Sequence, residues 1–124
     1  MPLKILIVDD EDDIRQIASL SLTRLGGMQV EEASSGTEAV ARAEETAPDL
    51  ILLDVMMPVM DGPATLAALR GNPRTARIPV VFLTAASGTE EVARLRALGA
   101  AQVVTKPFDP IELPGLVRSV LQER

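Results

Sequence analysis

Apolar residues in this chain fall into two patterns that alternate along its length. Short, nearly unbroken runs occur at Leu3-Lys4-Ile5-Leu6-Ile7-Val8, Leu50-Ile51-Leu52-Leu53, Val80-Val81-Phe82-Leu83 and Gln102-Val103-Val104-Thr105. Runs of this kind, bounded by Pro, Gly or acidic residues, suit strands buried on both faces, as in a parallel sheet. A weaker strand lies within residues 28–33, where Val30 is followed by Glu31 and Glu32. Between the runs the spacing becomes helical. Ile14, Ile17, Ala18, Leu22 and Leu25 recur on one helix, and Gly26-Gly27 supplies its stop. Ser35-Gly36-Thr37-Glu38 has capping-box spacing and opens a helix that reaches about Thr46. Pro63 is well placed at the start of a short helix to Arg70, which Gly71-Asn72-Pro73-Arg74 breaks. Ser87-Gly88-Thr89-Glu90 forms a second capping box, for a helix through Val92, Leu95 and Leu98 that stops at Gly99. Asp109-Pro110-Ile111-Glu112 caps a last helix carrying Leu113, Leu116, Val117, Val120 and Leu121. Pro114 falls in that helix's second turn and should cost it one early backbone bond.

Five strands therefore alternate with five helices. Connections of this length require parallel strands with right-handed crossovers, which predicts an α/β fold, a three-layer αβα sandwich. Residues 1–124 read as a single domain with no linker, repeat or output domain. Apolar residues make up 47% of the chain but aromatics only 2%, so Leu, Val, Ile, Ala and Met must fill the core. Against 12 Lys and Arg stand 18 Asp and Glu, a net charge of −6 that argues against direct contact with nucleic-acid phosphate. Cysteine and histidine are both absent, which excludes disulfides, thiol catalysis, thiolate or imidazole zinc sites and His-based triads. No apolar run approaches a membrane span and the chain opens directly into a strand, so a cytoplasmic protein without membrane contact is expected.

The strands end in chemistry. Asp9 and Asp10 follow the first, Asp54 ends the third, Thr84 the fourth, and Lys106 follows the fifth. A parallel sheet places all of these ends on one edge, where open α/β folds hold their ligands. Taken singly, each has an ordinary reading. Asp54 would end a strand, Asp9 and Asp10 would begin a helix, Thr84 would be a strand residue and Lys106 a solvated cation. For Asp12 and Asp13 the ordinary reading, a solvated first helical turn, is preferred. Gathered together, three carboxylates repel one another and call for a cation. With no His or Cys the hard oxygen ligands point to Mg²⁺, with Mn²⁺ or Ca²⁺ as substitutes. Met56, Met57 and Met60 then read as loop packing, not as a soft-metal cluster. A hydroxyl and an ammonium beside the acids suit a phosphoryl group, and the set as a whole suits phosphoryl transfer to a carboxylate.

Four motifs carry a resemblance to the response-regulator receiver domains of two-component signalling, the CheY-like members of the flavodoxin-like fold. They are Val8-Asp9-Asp10-Glu11, Leu53-Asp54-Val55-Met56-Met57-Pro58-Val59-Met60-Asp61-Gly62, Leu83-Thr84-Ala85 and Lys106-Pro107-Phe108. The resemblance covers essentially the whole chain and implies a five-stranded sheet of order 2-1-3-4-5. It implies Asp54 as phospho-acceptor, with Mg²⁺ held by Asp9, Asp10, Asp54 and the backbone carbonyl of Met56. Thr84 and Lys106 would contact the phosphoryl oxygens, and the Lys106-Pro107 bond would be cis. A sensor histidine kinase or a histidine phosphotransfer protein would be the donor and a downstream effector protein the reader. The chain would be a monomer or a phosphorylation-dependent dimer, and not an enzyme beyond catalysing its own phosphorylation and dephosphorylation. Two positions depart from the family pattern. Val103 stands where many members carry an aromatic residue that changes rotamer on activation. Met56 and Ala86 occupy the positions that influence hydrolysis, and since neither side chain can orient a water, a long-lived aspartyl phosphate is implied. Three alternatives stand beside the receiver: a binding module that works without phosphorylation, a small aspartate-nucleophile phosphatase, and a flavin binder of the same topology. The phosphatase lacks a general acid or base and a lid, and the acidic edge is hostile to a flavin phosphate.

Overall fold

The computed structural model describes residues 2–86 and 88–123. Five parallel strands, β1 (Lys4–Val8), β2 (Gln29–Ala33), β3 (Leu50–Asp54), β4 (Val80–Thr84) and β5 (Gln102–Thr105), form one sheet of order β2-β1-β3-β4-β5. The helices are α1 (Asp12–Leu20), α2 (Gly36–Thr46), α3 (Gly62–Arg70), α4 (Thr89–Ala97) and α5 (Leu113–Gln122). The expected three-layer sandwich and strand order are both observed.

The unbroken apolar runs have a direct cause in the two layers of helices. Alternate residues of the central strands point to opposite faces. Leu6, Val8, Ile51, Leu53, Val80 and Phe82 meet α2, α3 and α4 through Ala39, Ala43, Leu66, Leu69 and Leu95. Ile5, Ile7, Leu50, Leu52, Val81 and Leu83 meet α1, the turn that follows it and α5 through Ala18, Leu22, Leu113, Val117 and Val120. Burying each of the large aliphatic side chains is worth about 1.5–3 kcal/mol, so both faces resist a polar substitution.

Helix ends depart from the sequence reading in several places. Ser35 caps α2 as expected, accepting the Glu38 N–H at 3.1 Å, but Glu38 reaches back to the Ser34 N–H at 2.6 Å instead of to Ser35. Gly88, without a side-chain bond, is the N-cap of α4, and the expected second capping box rests on Ser87, which lies outside the described residues. The last helix begins only at Leu113, because residues 109–112 make a separate turn in which Asp109 accepts from the Ile111 N–H at 2.9 Å. Pro114 thus sits in the first turn, where its missing N–H has no intrahelical partner to lose, and the expected cost vanishes. At its far end α1 widens into a π-helical turn, Ser21–Leu25, whose looser spacing turns Leu25 out to solvent. Ile17 is also exposed, so the buried stripe of this helix is narrower than its sequence suggested. The Ser21 hydroxyl donates to the Pro110 carbonyl and pins this turn to the segment that follows Lys106.

Candidate functional site

The carboxyl edge of the sheet is built from the first residues beyond each strand. All five residues of β3 are buried, and the Val55 N–H donates to the Leu83 carbonyl at 3.0 Å, carrying strand pairing one residue past Asp54. The chain then loops and closes on itself where the Gly62 N–H donates to the Val55 carbonyl at 2.8 Å. A Cβ on Gly62 would lie 2.5 Å from the Asp54 backbone oxygen and 2.8 Å from the Val55 Cα. Glycine is required there by close approach of backbone to backbone. Asp61 caps α3, accepting the Ala64 N–H at 2.9 Å, so the loop is held at both ends.

Asp9 is carried by β1, whose pairing with β2 ends in the bond from the Asp9 N–H to the Ala33 carbonyl at 3.2 Å. It is fully buried, and its two carboxylate oxygens have separate partners. Oδ1 accepts the Glu11 N–H at 2.9 Å and Oδ2 accepts from Lys106 Nζ at 2.7 Å. Lys106 arrives from β5, where its own N–H donates to the Thr84 carbonyl at 2.8 Å, and its peptide bond to Pro107 is cis, as the family resemblance implies. The same ammonium reaches Asp54 Oδ1 at 3.2 Å and lies 3.7 Å from Glu11. Asp54 is only 4% exposed. Carboxylate oxygens of Asp9, Asp10 and Asp54 all lie within 4.8 Å of one another.

Charge and burial work against each other here. Burial, joined by the nearby Asp9 carboxylate, pushes the Asp54 carboxyl up to about 6, with Lys106 pulling in the opposite direction. Burial alone would lower the Lys106 ammonium. Its bond to Asp9 and the charges of Asp54 and Asp9 outweigh that effect and hold it above its ordinary value. Three carboxylates face one ammonium in this cluster, so negative charge is in excess. The donors that meet here are carboxylate oxygens, one each from Asp9, Asp10 and Asp54. That set fits a hard divalent cation such as Mg²⁺ and suits a soft metal poorly.

The acids and Lys106 thus meet as the strand-end reading required. The remaining predicted residues stand at the margin of this cluster. Thr84 is buried at the end of β4, where its hydroxyl oxygen accepts the Ala86 N–H at 3.0 Å. The Met56 N–H makes a long bond of 3.4 Å to Asp54 Oδ1, while the side chain is 74% exposed. Val103 is half-buried and packs on the apolar cluster that contains Phe82 and Leu95.

Sequence reasoning passed over Arg15. Its guanidinium donates to the Asp9 carbonyl at 2.6 Å and to Glu32 at 3.2 Å, and also contacts Asp12, strapping the acidic loop down. The available signal was a lone cation two residues beyond five consecutive acids, spaced i+3 from Asp12 and i+4 from Glu11. Asp12 and Asp13 are exposed, in keeping with a solvated first turn.

Comparison with known proteins places this geometry. Residues 5–118 match the family model of the response regulator receiver domain. The chain is 35% identical over 117 residues to protein PilG of Pseudomonas aeruginosa, covering 94% of this chain and 86% of PilG. It is 39% identical over 119 residues to the DNA-binding dual master transcriptional regulator RpaA of Synechocystis, covering 96% of this chain and 49% of RpaA. The chain spans about half the length of most of the curated relatives it matches. Among solved structures, the chemotaxis protein CheY4 of Vibrio cholerae superposes with a TM-score of 0.89 at 36% identity, covering 97% of this chain and 99% of that one. Motif, sheet edge and relatives agree: the chain belongs to the response regulator receiver domain family of two-component signalling.

Proposed function

We propose that this domain accepts a phosphoryl group on Asp54 from a phosphohistidine of a sensor kinase or phosphotransfer protein and thereby switches its contacts with an effector. The observation that carries this reading is the placement of Lys106 Nζ, 2.7 Å from the buried Asp9 and 3.2 Å from the buried Asp54, in a cluster that the exposed Asp10 completes. Transfer forms a bond between an Asp54 oxygen and phosphorus and breaks the bond from phosphorus to the donor nitrogen, whose electron pair returns to the imidazole. Asp54 must be ionised to attack, and Lys106 favours that form while lying close enough to meet an oxygen of the incoming group. Burial of Asp54 excludes bulk water, which protects the acyl phosphate from adventitious hydrolysis. The Thr84 hydroxyl, whose oxygen accepts from Ala86, can donate its O–H to a phosphoryl oxygen, which would couple charge at Asp54 to the loop after β4. Mg²⁺ would be held by Asp9, Asp10, Asp54 and the Met56 carbonyl, and when bound would supply positive charge against the phosphoryl oxygens.

Incubation with acetyl phosphate, with and without Mg²⁺, read by intact mass, tests this directly. Mass is the suitable readout because the chain has neither Trp nor Tyr. A single Mg²⁺-dependent adduct that is lost in Asp54→Asn supports the reading. Val103, which offers no aromatic ring to move, favours a second reading: a module that binds its partner without phosphorylation. A folded protein that binds Mg²⁺ yet takes up no phosphoryl group would support that one. Among the described residues no helix is long and apolar enough to cross a membrane.

A further inference from the structure

Between Asp54 and α3 the backbone is strained at one residue whose side chain makes no use of the strain inside the protein. Val59 has φ +69°, a left-handed conformation that β-branched residues rarely adopt. The Met60 N–H donates back to the Pro58 carbonyl at 2.7 Å, closing a tight γ-turn about Val59 of the rare, positive-φ kind. The turn lets its neighbours pack: Met57 enters the apolar core, and Met60 lies against Gly36 at the start of α2. Val59 itself is 108% exposed. Glycine or asparagine would make the same turn with less strain, so packing does not explain a valine here.

Its position offers an explanation. Asp54 is buried, so a protein that delivers a phosphoryl group to it must rest its surrounding surface on the rim of the recess. One side of that rim carries the exposed acids Asp10 and Glu11. The loop that follows Asp54 instead presents the exposed apolar side chains of Met56 and Val59. Strained residues cluster at active sites and ligand clamps, and persist where the surrounding structure holds them. We infer that Val59 is a specificity-determining residue for the protein phosphodonor, seating an apolar side chain of the donor beside its phosphohistidine. The inference rests on the phospho-acceptor reading of Asp54.

The test uses two donors. One is acetyl phosphate, too small to reach the rim and Asp54 together. The other is the autophosphorylated cytoplasmic part of a sensor histidine kinase, selected because it labels the wild-type domain. Val59→Asn keeps a side chain that tolerates the turn but removes the apolar surface. Val59→Gly removes both surface and strain, and Val59→Ile keeps both. Expected are acetyl phosphate labelling within about twofold of wild type for all three, and kinase transfer reduced about tenfold or more in kcat/KM for Asn and Gly, through KM. Val59→Ile should transfer as wild type does. Kinase transfer to Val59→Asn and Val59→Gly at the wild-type rate would overturn the inference. A wild-type domain that takes no phosphoryl group from acetyl phosphate, and whose kinase labelling survives Asp54→Asn, would overturn the phospho-acceptor reading and this inference with it.

Discussion

Replacing Asp54 by Asn should stabilise the metal-free protein, and the gain should depend on pH in a direction set by the site. The Asp54 carboxyl stands at about 6 in the folded chain against 3.8 for the unperturbed group. Between those values the native state holds the proton more firmly than the unfolded state does. The contribution of Asp54 is therefore most favourable below 3.8 and is lost as pH rises through about 6. A displacement of about two pH units, at about 1.4 kcal/mol each, sets the loss at roughly 3 kcal/mol by pH 8. Asparagine has the same shape and no charge to bury, and Lys106 keeps its 2.7 Å bond to Asp9 in the variant. Urea unfolding followed by far-UV circular dichroism in EDTA, from about pH 4 to about pH 8, would measure the difference. The variant should match wild type near pH 4 and be more stable by about 2–3 kcal/mol near pH 8. Saturating Mg²⁺ should narrow the gap, because the cation favours the ionised wild-type site. A gap of the same size at both pH values, or a variant less stable than wild type at pH 8, would refute the view that a desolvated carboxylate is held here against its own solvation.

Other consequences follow from neighbouring residues. Lys106→Ala leaves the carboxylates of Asp9 and Asp54 without their shared ammonium and should cost about 3 kcal/mol in EDTA at pH 8, part of which Mg²⁺ restores, as denaturant melts with and without the metal would show. Gly62→Ala sets a methyl group 2.5 Å from the Asp54 carbonyl oxygen and should destabilise the domain by ~2–3 kcal/mol, lowering the thermal midpoint measurably. Val59→Gly should raise stability by about 1 kcal/mol, since the positive φ is then unstrained; a lower midpoint would show that the turn is not strained. Met56→Asn combined with Ala86→Glu should shorten the life of the acyl phosphate by at least about tenfold in a mass-resolved decay, and an unchanged lifetime would end the idea that these side chains leave water unoriented.

The architecture was readable from local pattern because its cause is local. A strand covered by helices on both faces must be apolar at every position, so the runs ending at Val8, Leu53 and Leu83 announced a parallel sheet. The polar residues that interrupt those runs had to fall on one edge, which is how Asp9, Asp10, Asp54 and Lys106 could be grouped despite separations of up to 97 residues. Other features depended on contacts that no local spacing encodes. The π-helical end of α1 is tied to Pro110 by Ser21, across 89 residues of chain, and the buried face of that helix changes with it. The late start of α5 reflects the turn that Asp109 closes, which competed with the capping frame expected from the same residues.

What the sequence determined by itself was the order of elements and the identity of the acidic edge, since periodicity and strand-end position are properties of neighbouring residues. The tertiary structure alone decided which acids lose their water and how Lys106 divides its charge between Asp9 and Asp54. It also decided that Gly62 is required by an approach of backbone to backbone, and that Val59 is held at positive φ with its side chain in solvent. Desolvation, charge sharing and steric closeness are sums over atoms brought together from distant parts of the chain, so they become defined only once the sheet has assembled.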